Sequence, residues 1–185
     1  MEIILMRHGK PCFTDSPKVT SHEMAHWINH YDLSDIGSDQ PSENTRVLVR
    51  KVKMVFSSPL PRAISSVTAL NLEPKRVDEI FREAELPVYF IPAIKLAPLS
   101  WVFFFRLIWL CGMSKKVESL AMAKRRAQLA VDILVNNACG RNDPVLMMGH
   151  GIMNRLIAKE LTLRGWKKNI CAGKGYWGTS VFQLP

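Results

Sequence analysis

The chain has 185 residues, 48% of them hydrophobic and 22% charged, which suits one domain with a substantial core and excludes both a disordered chain and two full-sized domains. A formal charge of +9 predicts attraction to anions, whether a phosphorylated metabolite, a nucleic acid or an anionic membrane surface. The basic residues are spread over 46–53, 115–126 and 164–174 with no interleaved aromatic pattern, which argues against dedicated nucleic-acid binding.

In chain order, residues 2–6 form a short apolar run that ends at Arg7-His8-Gly9, and the spacing predicts a buried strand stopping at a loop. The segment 34–44, rich in Ser, Asp, Gly and Pro, reads as a loop. A second apolar run at 52–56 ends at Ser57-Ser58-Pro59, and Pro61 then suits the first turn of a helix over 61–72. Helical spacing recurs over 118–138, with Gly140 as a stop, and over 152–163, ending near Gly165. Between those two helices the run 144–148 reads as a third strand, delivering Gly149-His150-Gly151, and 179–184 is a last strand-like segment. Strands alternating with helices predict an α/β sandwich, in which ligands collect beyond the carboxyl ends of the strands.

The start of the chain has no basic region, long apolar stretch and small-residue cleavage site of a secretory leader, so a cytoplasmic location is expected. Cys12, Cys111, Cys139 and Cys171 are scattered, fitting neither a disulfide framework nor a zinc site, and are expected as reduced, semi-buried thiols.

Hydrolysis of a phosphate monoester demands accelerations of up to about 10²¹-fold, hence a nucleophile, cationic clamps on the phosphoryl oxygens and an acid for the leaving group. Arg7-His8-Gly9 places a bidentate anion binder beside an imidazole, with a glycine that permits close backbone approach. Ser57-Ser58-Pro59-Leu60-Pro61-Arg62-Ala63 puts a second arginine in the first turn of a helix, and Gly149-His150-Gly151 adds a second histidine at a strand end. In this order the three segments resemble the histidine phosphatase (phosphoglycerate mutase-like) superfamily: the RHG signature, the SSPLxRA segment and the late HG dipeptide.

The resemblance implies a three-layer α/β/α sandwich with a mixed, mainly parallel sheet, formed by a single domain over 1–185. It implies His8 as nucleophile through a phosphohistidine intermediate, and Arg7, Arg62 and His150 as phosphate-binding groups around it. It further implies a proton donor at Glu83, from the match of Phe81-Arg82-Glu83, with Glu85 as the competing carboxylate because positions two apart share a face of an extended segment. No cofactor and no metal are expected, and the expected partner is a phosphorylated small-molecule substrate. A protein phosphohistidine phosphatase, or a non-catalytic phosphate-binding or membrane-surface module on the same fold, are the alternatives. Lys10, Thr14 and Gly149 depart from residues common in the family at those places and count against a sugar-phosphate mutase.

Two features stand outside that pattern. His22-Glu23-Met24-Ala25-His26 matches the zinc-protease signature HExxH, and His30 continues the stripe. No glycine follows to turn the chain toward a third ligand, so the expectation is a partly exposed helix, with His22 or His26 lining a substrate entrance as its functional reading. The segment 86–113 reads as an apolar insertion or lid. It holds Leu99, Trp101, Phe103, Phe104, Phe105, Leu107, Trp109 and Leu110, more apolar bulk than one helix face can bury. Lys95, Arg106 and several prolines keep it from being a transmembrane span. It is expected either as a core helix or, over 99–113, as a homodimer or peripheral membrane contact.

Overall fold

The computed structural model describes residues 1–13, 17–173 and 175–184, so Thr14 lies outside the described residues. In chain order the elements are β1 (Glu2–Arg7), β2 (Val19–Thr20), α1 (Met24–Leu33), α2 (Glu43–Val49), β3 (Met54–Ser57), α3 (Pro61–Ala69) and β4 (Arg76–Val77). A 3₁₀ turn (Glu79–Phe81) is followed by β5 (Lys95–Leu96), α4 (Pro98–Leu110), α5 (Leu120–Ala138), β6 (Val145–Gly149), α6 (Gly151–Leu163), β7 (Lys167–Ala172) and β8 (Thr179–Gln183).

Among the described residues, six strands form one sheet in the order β4-β3-β6-β1-β8-β7, and β2 pairs with β5 in a separate two-stranded ribbon. β4, β3, β6 and β1 are mutually parallel, whereas β8 runs antiparallel to β1 and β7 antiparallel to β8. The sheet is therefore mixed and mainly parallel.

Strand geometry explains the near-continuous apolar runs. Successive side chains point to opposite faces, and here both faces are covered. Ile3 and Leu5 of β1, with Val145 and Met147 of β6, join the cluster under α5 and α6. Ile4 and Met6, with Leu146 and Met148, join the cluster on the other face, with Val49 of α2 and Ala63 and Val67 of α3. Each buried side chain of this size contributes about 1.5–3 kcal/mol, so the central strands anchor both cores and hold the loops at their carboxyl ends.

Local chemistry sets the element limits. Ser42 and Ser119 cap α2 and α5 by accepting hydrogen bonds from the backbone N–H of Thr45 and Met122. The loop expected over 34–44 accordingly ends at Ser42, and the helix expected from 118 starts at Leu120. Asn71 takes a left-handed φ of 58°, so α3 stops at Ala69 rather than continuing to residue 72. Val52 closes the turn after α2 by donating its N–H to the Val49 carbonyl (2.9 Å), which delays the strand expected from 52 until Met54.

The four cysteines are all exposed and unpaired, not semi-buried as their scatter suggested. Cys12 lies in the loop after β1, Cys111 and Cys139 are helix C-caps, and Cys171 is on the exposed edge strand β7. Apolar character alone does not draw a thiol inside when its backbone sits at an element's outer end.

Segment 86–113 resolves into a loop, β5 and α4. On α4, Trp101, Phe105 and Trp109 are buried, the first two against Met24 and Trp27 of α1. The remaining stripe of the same helix is exposed. Among the described residues no helix is long and apolar enough to cross a membrane.

Candidate active site

Three parallel strands end side by side and present the expected groups. His8 follows β1 and donates its backbone N–H to the Gly149 carbonyl (3.0 Å), while Ser58 follows β3 and donates its own to the Met148 carbonyl (3.1 Å). His150 follows β6 and is the N-cap position of α6. His8 and His150 are both buried, with ring centroids 5.0 Å apart.

One nitrogen of the His8 imidazole is committed to the backbone. Its Nδ1 lies 2.7 Å from the Gly9 carbonyl oxygen. A carbonyl only accepts, so Nδ1 carries the hydrogen and Nε2 of the neutral ring keeps its lone pair. Burial, reinforced by the positive charges of Arg62 and Arg7, lowers the His8 pKa from 6.5 to about 3, so the ring is neutral at ordinary pH. His150 is likewise pushed well below the usual histidine range by burial and then by His8, Arg62 and Arg7. Its Nε2 meets the Ser58 hydroxyl at 2.7 Å.

Gly9 is required by space. A Cβ there would come within 2.6 Å of the Trp177 ring and 2.7 Å of the Asp39 carboxylate. Asp39 accepts hydrogen bonds from the Lys10 N–H and the Trp177 indole N–H (2.6 and 2.8 Å), which closes the loop before β8 over His8. Lys10, one of the departures from the family, therefore uses its backbone here.

Arg62 is buried in the first turn of α3, and α1 holds it. Its guanidinium donates to the Tyr31 carbonyl and to the Asp32 carboxylate, both at 3.0 Å, and stacks over the Tyr31 ring at 4.6 Å. Arg7 stacks over the Tyr176 ring at 4.5 Å. Among the described residues, Arg7 Nε, Arg62 Nε and His150 Nδ1 are buried with no hydrogen-bond partner. Buried polar atoms normally find partners, so three unanswered ones around one imidazole mark a place that suits an oxygen-rich anion.

Glu83 joins them from the segment after the 3₁₀ turn. Its Oε1 accepts from the Ala84 and Met153 N–H groups (3.0 and 2.9 Å) and its Oε2 from the Ile152 N–H (3.0 Å), at the N-terminus of α6. Glu85 is exposed and accepts from the Glu118 N–H through Oε2 (2.8 Å). Arg7, His8, Arg62, Glu83, Glu85 and His150 all line one cavity of about 440 Å³, whose apolar wall includes Leu86, Leu99, Val102 and Val117.

The sequence reading missed Asp32, Tyr31 and Tyr176 and took Arg82 only as part of the match around Glu83; all four share this cavity. None adjoins a strand-end motif. Asp32 lies 3.6 Å from Arg82 as well as binding Arg62, so it balances two guanidiniums at the rim.

The HExxH match loses its geometry. α1 begins at Met24, so His22 and Glu23 precede it, and the Glu23 carboxylate is occupied by the N–H and hydroxyl of Thr20. His26 and His30 approach each other at 2.9 Å, and with His22 they line a neighbouring surface cavity of about 970 Å³ rather than that of His8. Among the described residues no group of three or more His, Cys, Asp and Glu side chains is placed to hold a metal ion.

Several solved structures share this fold, some of them phosphatases. The chain is similar to the open reading frame Rv3214 of Mycobacterium tuberculosis at a TM-score of 0.60 and 15% identity, covering 100% of this chain and 95% of that one. It is similar to the phosphoserine phosphatase of Entamoeba histolytica (TM-score 0.57, 16% identity, 98% of this chain and 90% of that one). It is also similar to the ecdysone phosphate phosphatase of Bombix mori (TM-score 0.55, 14% identity, 100% of this chain and 91% of that one). The family model of the histidine phosphatase superfamily (branch 1) matches residues 3–170, and the chain belongs to that superfamily. No curated protein sequence matches it.

Proposed function

We propose that this protein is a metal-independent phosphatase that hydrolyses phosphomonoesters through a phosphohistidine at His8. The observation that carries this reading is the state of His8: neutral, with Nδ1 committed to the Gly9 carbonyl, and bordered by Arg7 Nε, Arg62 Nε and His150 Nδ1 with no partner of their own among the described residues.

In the first step the Nε2 lone pair attacks phosphorus as the bond to the leaving-group oxygen breaks, and Glu83 gives that oxygen a proton. Arg7, Arg62 and His150 donate to the three equatorial oxygens, whose charge needs stabilising in the transition state. In the second step Glu83 takes a proton from water as the water oxygen attacks phosphorus, the N–P bond breaks, and neutral His8 and inorganic phosphate result. Glu83 is a carboxyl group held in the cavity of His8, and its Oε2, which accepts a single backbone hydrogen bond where Oε1 accepts two, is the oxygen with room to carry the proton. The wall of Leu86, Leu99, Val102 and Val117 favours phosphomonoesters with apolar leaving groups. A structure of similar fold is that of the ecdysone phosphate phosphatase of Bombix mori in complex with tungstate.

The test is rapid quenching after brief exposure to a labelled phosphomonoester. Acid-labile, base-stable label should accumulate on the wild type and be absent from His8→Ala. Full turnover by His8→Ala would overturn the mechanism.

A further inference from the structure

Helix α4 carries two apolar stripes. Trp101, Phe105 and Trp109, at spacings of four, face inward and are buried to 1% exposure or less. Leu99, Phe103, Leu107 and Leu110 recur at spacings of four, four and three, so they share the opposite face, and all four are exposed, Phe103 by 66%. Met113 is exposed just beyond the helix, and Phe104 at the margin of the stripe. The one charged side chain of α4, Arg106, is folded back onto the Ala84 and Glu85 carbonyls and over the Trp109 ring, so it does not interrupt this face.

Cations stand at both ends of the stripe. Lys95 precedes α4 on β5, and Lys115 and Lys116 follow it, all three exposed, Lys115 with its ammonium over the Tyr89 ring at 5.5 Å. The acidic residues near them have other partners: Glu23, within reach of the Lys95 charge, accepts from Thr20, and beside Lys116 Glu85 accepts from the Glu118 N–H while Glu118 pairs with Arg126. Large apolar side chains aligned on one helix face need a covering that removes them from water. A second copy of this chain would bring +9 against +9 and set lysines at both ends of the stripe against each other.

We propose that the outer face of α4 rests on an anionic lipid surface, with Leu99, Phe103, Leu107 and Leu110 entering the boundary between headgroups and acyl chains while Lys95, Lys115 and Lys116 meet the headgroups. The 13 residues of α4 span roughly 20 Å at 1.5 Å per residue, short of the roughly 30 Å hydrocarbon core, so the helix lies in the interface rather than crossing it. Leu99 belongs both to this stripe and to the wall of the His8 cavity, so the lipid-facing surface borders the site. The binding itself is independent of the reaction proposed above.

The full-length protein is sedimented with vesicles of phosphatidylcholine alone or with added phosphatidylserine. It should bind the phosphatidylserine vesicles, weakly at high salt and hardly at all without the anionic lipid. Phe103→Ser with Leu107→Ser should weaken that binding about a hundredfold. Lys115→Glu with Lys116→Glu, which alters exposed side chains at the end of the helix, should weaken it about tenfold or more. Circular dichroism melts check that each variant is folded, and the lysine variant reads the proposal even if the apolar one is not. No sedimentation of the wild type with phosphatidylserine vesicles, or unchanged binding by the folded variants, would overturn it. So would a wild-type dimer in light scattering that the apolar variant converts to a monomer, since a second copy would then be the occupant.

Discussion

Protonation of His8 is the perturbation whose size follows most directly from the structure. The unfolded chain takes up a proton at this residue as pH falls through 6.5, whereas the native protein resists until about 3, mainly because the ring is buried and secondarily because Arg62 is close. Between those values the unfolded state binds more protons, so stability rises with pH: the contribution is whole above 6.5 and is lost progressively as pH falls toward 3. At about pH 5 the linkage amounts to about 2 kcal/mol, and the full shift approaches about 5 kcal/mol at the acid limit. His8→Asn isolates this contribution because its side-chain amide can still donate to the Gly9 carbonyl, as Nδ1 of His8 does. His150, also held neutral by burial, is common to both proteins and cancels to first order. Urea unfolding at about pH 8 and about pH 5 should show the wild type losing about 2 kcal/mol more than His8→Asn. An equal loss in the two proteins would refute the claim that the native site holds this imidazole neutral, and with it the ready lone pair on Nε2.

Glu83→Gln should lower the rate on phosphomonoesters of poor leaving groups by about 10²–10⁴-fold and spare good ones, while Glu85→Gln should leave that dependence flat. The check is the slope of rate against leaving-group pKa for a series of aryl phosphates. Chelator should leave the rate unchanged, because Arg7 and Arg62 bring the positive charge that a metal would otherwise supply, and assay after exhaustive dialysis against chelator measures it.

The central fold was legible because β1 and β6 are covered on both faces. Residues such as Ile3, Ile4, Leu5 and Met6 then have no polar alternates to blur them, and the run itself marks the strand. The opposite condition hid β7. Lys167–Ala172 is an exposed edge strand throughout, with Lys167 and Lys168 at its start guarding an unpaired edge, and neither an apolar run nor an alternation survives in its sequence. α2 escaped for a related reason: of its seven residues only Thr45 and Val49 are buried. The candidate site divides in the same way. Arg7, His8, Arg62 and His150 each sit at or one turn beyond a strand end, so finding the strands found them. Asp32, Tyr31 and Tyr176 reach the same cavity from α1 and from the loop before β8, and only tertiary packing brings them there.

The excess of apolar residues in 86–113 was equally legible, but its division between inside and outside was not, and α4 shows why. Both stripes of the helix are apolar and both recur at helical spacing, so periodicity supplies a direction with no sign. Polar atoms on the large rings decide it. The indole N–H of Trp101 donates to the Val19 carbonyl and that of Trp109 to the Glu118 carbonyl, at 2.8 and 2.7 Å. Burying either ring without such a partner would forfeit part of what its apolar surface contributes. The stripe of Leu99, Phe103, Leu107 and Leu110 has no polar side-chain atom to answer and can face outward with nothing left unmet. Arg106 completes the choice of orientation, because its inward fold onto the Ala84 and Glu85 carbonyls ties α4 to the segment that carries Glu83. Turning the helix to hide the leucines would expose both tryptophans, strand the Val19 and Glu118 carbonyls and release the segment that holds the proposed proton donor against α6. The outward apolar face is thus a consequence of how the site is braced from behind.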